Sequence, residues 1–134
     1  MGKIYEFDPV IYPIKIWVAF SSVTIDEIDE VFFAVGDDDV AAPFKECHTL
    51  LGYGDMAKTF IVGHKEQKIK GCLVVLRRDA PMKFLSHEAD HCADYLFEEI
   101  GETERSYEHG EPYAYYQSWV FDCLYKVLKG KCKA

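Results

Sequence analysis

The residues with the clearest chemistry lie in the stretch SHEADH, residues 86 to 91. His87 and His91 stand four apart, so a helix places both imidazoles on one face about one turn from each other, close enough to share an ion. Glu88 is rotated by about 100° from His87, beside that ion, where a base acting on an activated water belongs. Together they spell the HExxH pattern. A zinc site of this kind needs a third protein ligand and one open position. Glu111 is one candidate, with nineteen residues between it and His91. Asp94 is its rival, three positions after His91 on the same face, able to ligate or to accept a hydrogen bond. Glu108 and His109 are lesser rivals, and Glu98 is expected to be solvated. The competing reading is an ordinary solvated helix face, with His87 and His91 exposed, Glu88 an acid favoured early in a helix, and Glu111 an acid at a helix N-terminus.

The elements that must position these residues are legible in outline. VIYPIKIWVAFSS, residues 10 to 22, is rich in β-branched and aromatic residues and is the first strand, with Pro13 suiting an edge or a strand start. Thr24 and Glu27 fit a capping box, and Ile25, Ile28, Val31, Phe32 and Val35 recur at helical spacing up to Gly36, so a helix is expected there. GDDDVAAP, residues 36 to 43, reads as a polar loop whose aspartates lack the spacing of a calcium loop. MAKTFIVGHK and KIKGCLVVLRR read as an antiparallel hairpin turning at Glu66 and Gln67. From Met82, the stripe Leu85, Ala89, Cys92, Leu96 and Ile100 defines a helix closed by Gly101. A last helix runs from Pro112 to Leu128 on the stripe Tyr116, Trp119, Val120, Cys123, Leu124 and Val127, with Gly130 as its C-cap. Strand, helix, hairpin, helix and helix make an α+β fold: a small antiparallel sheet packed on helices.

Composition narrows the classes. A chain of 134 residues supports one domain, 1–134, and its 49% hydrophobic content is enough to bury a core. The net charge of -8 opposes polyanions, so no nucleic-acid partner is expected. The longest apolar runs, IWVAF and CLVVL, are strand-length, so no membrane span is expected. Five cysteines with no CxxC pair, and no apolar leader in MGKIYEFDPV, point to a reduced, cytoplasmic setting. Cys92 belongs to the apolar stripe and reads as a buried thiol, not a nucleophile or ligand. His48 and His64, remote in sequence, have core or surface roles by default, and Tyr113, Tyr115, Tyr116 and Trp119 form an aromatic group that is core unless a pocket exists beside it.

HExxH followed at this separation by a glutamate at the start of the next helix resembles the gluzincin branch of the zincin metallopeptidases, and in size the small zincins of bacteria and phages. The resemblance covers about a fifth of the chain by motif and more by element order. It implies a minimal zincin-like core in which His87, His91 and Glu111 bind Zn2+ and Glu88 activates the water that attacks a peptide carbonyl. It also implies a substrate-pairing edge strand before the active helix, the place of KIKGCLVVLR, with Leu73 to Leu76 beside an extended peptide. The chain departs from the family in three ways. Pro112 directly follows the proposed ligand, Tyr115 stands where an acid usually supports the site, and the length that large zincins use for a cleft is missing. The expected function is therefore zinc-dependent hydrolysis of a peptide or protein substrate. The alternative is a non-catalytic interaction protein retaining the zincin-like fold, with metal structural or absent.

Overall fold

In the computed structural model, residues 3–36, 38–101 and 110–131 are described, the side chains of 110 and 111 excepted. Six strands and four helices follow in the order β1 (Ile4–Phe7), β2 (Lys15–Phe20), α1 (Ile25–Val31), β3 (Phe32–Val35), β4 (Ala41–Pro43), α2 (Phe44–Cys47), β5 (Ala57–His64), β6 (Lys70–Leu76), α3 (Met82–Glu99) and α4 (Gly110–Leu128). The strands form one sheet in the order β1-β2-β6-β5-β3-β4. β2 and β6 run parallel, and the other neighbours are antiparallel. The α+β architecture with helices packed on a sheet is thus present, and the sheet is mixed and larger than the strand signals alone indicate.

β2 and β6 are buried along nearly their whole length, which is why KIWVAF and GCLVVL read as almost unbroken apolar runs. Alternation divides their side chains between two cores. Ile16, Val18, Cys72, Val74 and Leu76 face Leu85, Ala89, Leu96, Val120 and Leu124 of α3 and α4. Trp17, Ala19, Leu73 and Val75 face Ile28 of α1, Phe32 and Phe44 on the opposite side. Gly71 is required where the two strands meet, because a Cβ there would lie 2.2 Å from the Lys15 carbonyl oxygen and 2.6 Å from Trp17 Cζ3.

Several sequence expectations are met. Thr24 caps α1 in a reciprocal box with Glu27, the hairpin of β5 and β6 turns through residues 65–67, and Gly101 and Gly130 end α3 and α4 with positive φ. Four expectations need correction. The polar loop expected at 36–43 ends early, its last three residues, Ala41–Pro43, pairing with Phe32–Val35 as β4. The helix expected through Val35 stops at Val31, and Phe32–Val35 become β3, because they alternate between buried and exposed and pair with β5. Ile28 and Phe32 share one core, so helical spacing and strand alternation overlapped there. β1 precedes the strand that reads as first, which itself is confined to Lys15–Phe20. Finally, β6 is no edge: it lies between β2 and β5 with both sides of its backbone paired, so Leu73 to Leu76 cannot receive a substrate strand.

No helix among the described residues is long and apolar enough to cross a membrane. Cys47, Cys72, Cys92 and Cys123 are free thiols.

Candidate metal centre

α3 starts at Met82 after the extended Pro81, and its apolar stripe Leu85, Ala89, Cys92 and Leu96 is fully buried against the sheet. That orientation fixes the chemical residues. Glu88, next to the stripe, is only 4% exposed, the one buried charged side chain among the described residues. His87 and His91, further round, reach the surface. Their Nε2 atoms lie 3.1 Å apart with the rings perpendicular. Two zinc–nitrogen bonds of about 2.0–2.1 Å at a tetrahedral angle would hold the nitrogens roughly 3.3 Å apart, so the pair is already close to the spacing of two ligands on one ion. The same distance also suits a single N–H···N bond between neutral rings, one donating and one accepting.

A cavity of about 390 Å³ joins His87, Glu88 and His91 to Ala57, Lys58, Thr59 and Ile61 of β5. Thr59 Oγ1 donates a 2.8 Å hydrogen bond to Glu88 Oε1. This contact was invisible in sequence, where Thr59 is one polar residue in an apolar strand; the available hint was the odd-numbered set Ala57, Thr59 and Ile61, which had to share a face. Beneath it, the Cys92 thiol is held well above its ordinary pKa by the hydrogen-bonded Cys72 thiol and by full burial. Cys92 is therefore a neutral core residue, as expected from its place in the stripe.

The wall formed by β5 is half open. β3 pairs only with residues Val62 to His64 of β5. Arg77 N–H bonds the Met56 carbonyl and His64 N–H bonds the Ile69 carbonyl, so the even-numbered residues of β5 direct their backbone groups to β6. By antiparallel alternation, Ala57 and Thr59 direct theirs the other way, beyond the stretch of β5 that β3 covers. An unpaired edge of this kind can accept an added extended chain, and it borders the two histidines. The edge expected in β6 is thus supplied by the first half of β5.

The described side chains contain no group of three or more histidine, cysteine or acidic residues able to hold a metal. Glu111 lies in the first turn of α4, and its side chain falls outside the described residues, as do Glu108 and His109 altogether. Asp94 turns toward α4, where Tyr113 Oη lies 2.9 Å from its Oδ1 and 2.5 Å from Asp90 Oδ1. Tyr113, grouped in the sequence with the aromatic core, is the residue that ties α4 to the acids of α3. Asp94 and the exposed Glu98 also line a polar groove of about 500 Å³ that continues from the cavity past Ile61 and His91. Lys70 bridges that groove to Asp39 and Glu99. Tyr115 is 71% exposed and lines a separate apolar groove with Ile11 and Trp119, whereas Tyr116 is core, its phenol pKa raised by burial.

The remaining histidines stay apart from the centre. His48 packs on Phe44 and Phe60, on the opposite side of the sheet, where burial and then Lys58 hold its pKa below the ordinary value. His64 packs on Trp17 and Phe32.

Compared with known proteins, the chain matches no family model, and no curated protein or solved structure is significantly similar to it.

Proposed function

We propose that the protein is a zinc-dependent peptidase in which His87, His91 and Glu111 hold the ion and Glu88 is the general base. The observation that carries this reading is the convergence of two imidazole nitrogens, 3.1 Å apart, on a cavity whose other wall combines the Glu88 carboxylate with the open half of β5. Bound zinc supplies Lewis acidity, bringing the pKa of water toward neutrality and polarising a carbonyl. The chain supplies the rest. Backbone groups of Ala57 and Thr59 align an extended peptide in front of His87 and His91. Glu88 takes the proton of the attacking water and returns it to the leaving amine. Burial of Glu88 keeps bulk water from competing for its carboxylate, and the Thr59 hydroxyl fixes one of its oxygens.

The decisive measurement is metal content per chain, by mass spectrometry on protein purified without a histidine tag, for the wild type beside His91→Ala and Glu111→Ala. About one zinc per wild-type chain, lost in both variants, is the expected result. Loss in His91→Ala alone would remove Glu111 from the ligand set.

A second reading, a non-catalytic interaction protein, is favoured by the exposure of both histidines and by the absence of a complete ligand group among the described side chains. It predicts a wild type that stays metal-free when zinc is supplied. His87 and His91 would then be a hydrogen-bonded surface pair, and the open edge of β5 a docking edge.

A further inference from the structure

Thr59 stands at the meeting point of two features that the proposed reaction needs. Its side chain gives the only hydrogen bond that the Glu88 carboxylate receives among the described residues. Its backbone N–H and C=O lie on the stretch of β5 that β3 leaves uncovered, one alternate residue from Ala57. A threonine hydroxyl has a single hydrogen, which here is given to Glu88 Oε1, with the Cys92 thiol as a second neighbour of the same hydroxyl. Threonine is also stiff about χ1, so the hydroxyl cannot swing independently of the strand that bears it.

We propose that Thr59 is a positioning residue that couples occupancy of the β5 edge to the orientation of the Glu88 carboxylate. The β6 ladder already holds Thr59 on one side, and a peptide bonded to its open side narrows that residue's φ and ψ further. The stiff side chain carries the constraint to the hydroxyl, and the hydroxyl carries it to Glu88 Oε1. The base is therefore best aligned when an extended chain lies on the edge. Thr59 touches neither the peptide carbonyl nor the ion in this scheme and acts only through Glu88 and its own backbone. The inference rests on the peptidase reading and adds to it a route by which substrate engagement reaches the base.

The test uses the full chain loaded with zinc and fluorescein-labelled casein as probe, comparing the wild type with Thr59→Val, Thr59→Ser, Glu88→Ala and the double variant Thr59→Val/Glu88→Ala. Thr59→Val is expected to lower kcat at least tenfold with KM within twofold of the wild type, at unchanged zinc content. Thr59→Ser, which keeps the donor, is expected to recover most of the loss. In the Glu88→Ala background, Thr59→Val should have no further effect on turnover. In the metal-free proteins it should lower the urea midpoint less in that background than in the wild type, because its acceptor is already gone. An active wild type whose kcat is unchanged by Thr59→Val, or a Thr59→Val loss that is the same with and without Glu88, overturns the coupling while leaving the peptidase reading intact. A wild type that neither retains zinc nor cleaves casein overturns both.

Discussion

Two glutamates at opposite ends of the fold show how differently the same side chain can be placed. Glu6, on β1, accepts from Trp17 Nε1 at 2.8 Å, from Gln67 Nε2 at 2.6 Å and from Lys15 Nζ at 3.1 Å. Partial burial works to raise its pKa, yet the donors of Gln67, Trp17 and Lys15 outweigh it and hold the carboxyl below its ordinary range. Both of its oxygens are engaged, and the cluster ties β1 and β2 to the turn between β5 and β6. Glu88 is far more deeply buried, yet has one hydroxyl donor and faces a cavity shared with two imidazoles. A carboxylate surrounded by donors is a structural clasp, whereas one with a single donor among the described residues meets its cavity with acceptor sites unused. Deep burial with few donors is costly for a charged group, which makes Glu88 the less expected of the two placements on stability grounds.

Breaking the two sites should separate these roles. The largest effect is expected from Glu88→Gln, which keeps the shape and removes the carboxylate proposed as the base. Hydrolysis should fall about 10²–10⁴-fold with zinc content unchanged, measured by peptide cleavage beside metal analysis. Persistent cleavage would remove Glu88 from the base role, and loss of zinc would show instead that it helps hold the centre together.

At the other end, Gly71→Ala should be the most damaging small change, since the added Cβ meets the Lys15 carbonyl and the Trp17 ring in the strands that carry the Glu6 donors. A loss on the order of 1–3 kcal/mol is expected from urea unfolding, and an unchanged midpoint would mean that β2 and β6 are not packed as tightly as this geometry requires. The smallest effect belongs to Glu6→Gln. Its side chain is 38% exposed, so screening limits the loss to under about 1 kcal/mol at neutral pH. Its sign with pH is nonetheless fixed. A carboxyl with a depressed folded pKa contributes stability above its unfolded value of 4.5, and that contribution disappears as pH falls through the lower folded value. Stability curves of the wild type and Glu6→Gln should therefore converge in acid, and parallel curves there would contradict the clasp.

The two glutamates were not equally legible. Glu88 announced itself through the histidines on either side, because helical spacing is local and four residues suffice to define it. Glu6 carried no signal: its partners are Lys15, Trp17 and Gln67, up to 61 positions away, and strand pairing alone brings them together. Thr59 was hidden for the same reason, since its contact with Glu88 spans 29 positions. Gly71 stands in an apolar strand where sequence gives no reason for it until β2 is seen to cross at that point.

The edge strand shows the same division. The resemblance to zincins led to the expectation of a substrate edge in the strand before α3, and the parallel pairing of β2 with β6 closes that strand. The open edge passed one strand outward, to the half of β5 that the four-residue β3 is too short to cover. By itself the sequence determined what depends on neighbours a few residues apart: the Thr24 cap, the two long helices, the hairpin, and the placing of two histidines and a glutamate on one helix. Tertiary structure decided what depends on contacts between distant segments: which strand borders the histidines, which hydroxyl meets Glu88, and which backbone groups remain unpaired. Helical periodicity is written in local hydrogen bonds, whereas strand order and register come from long-range burial, for which many arrangements of the same apolar runs compete.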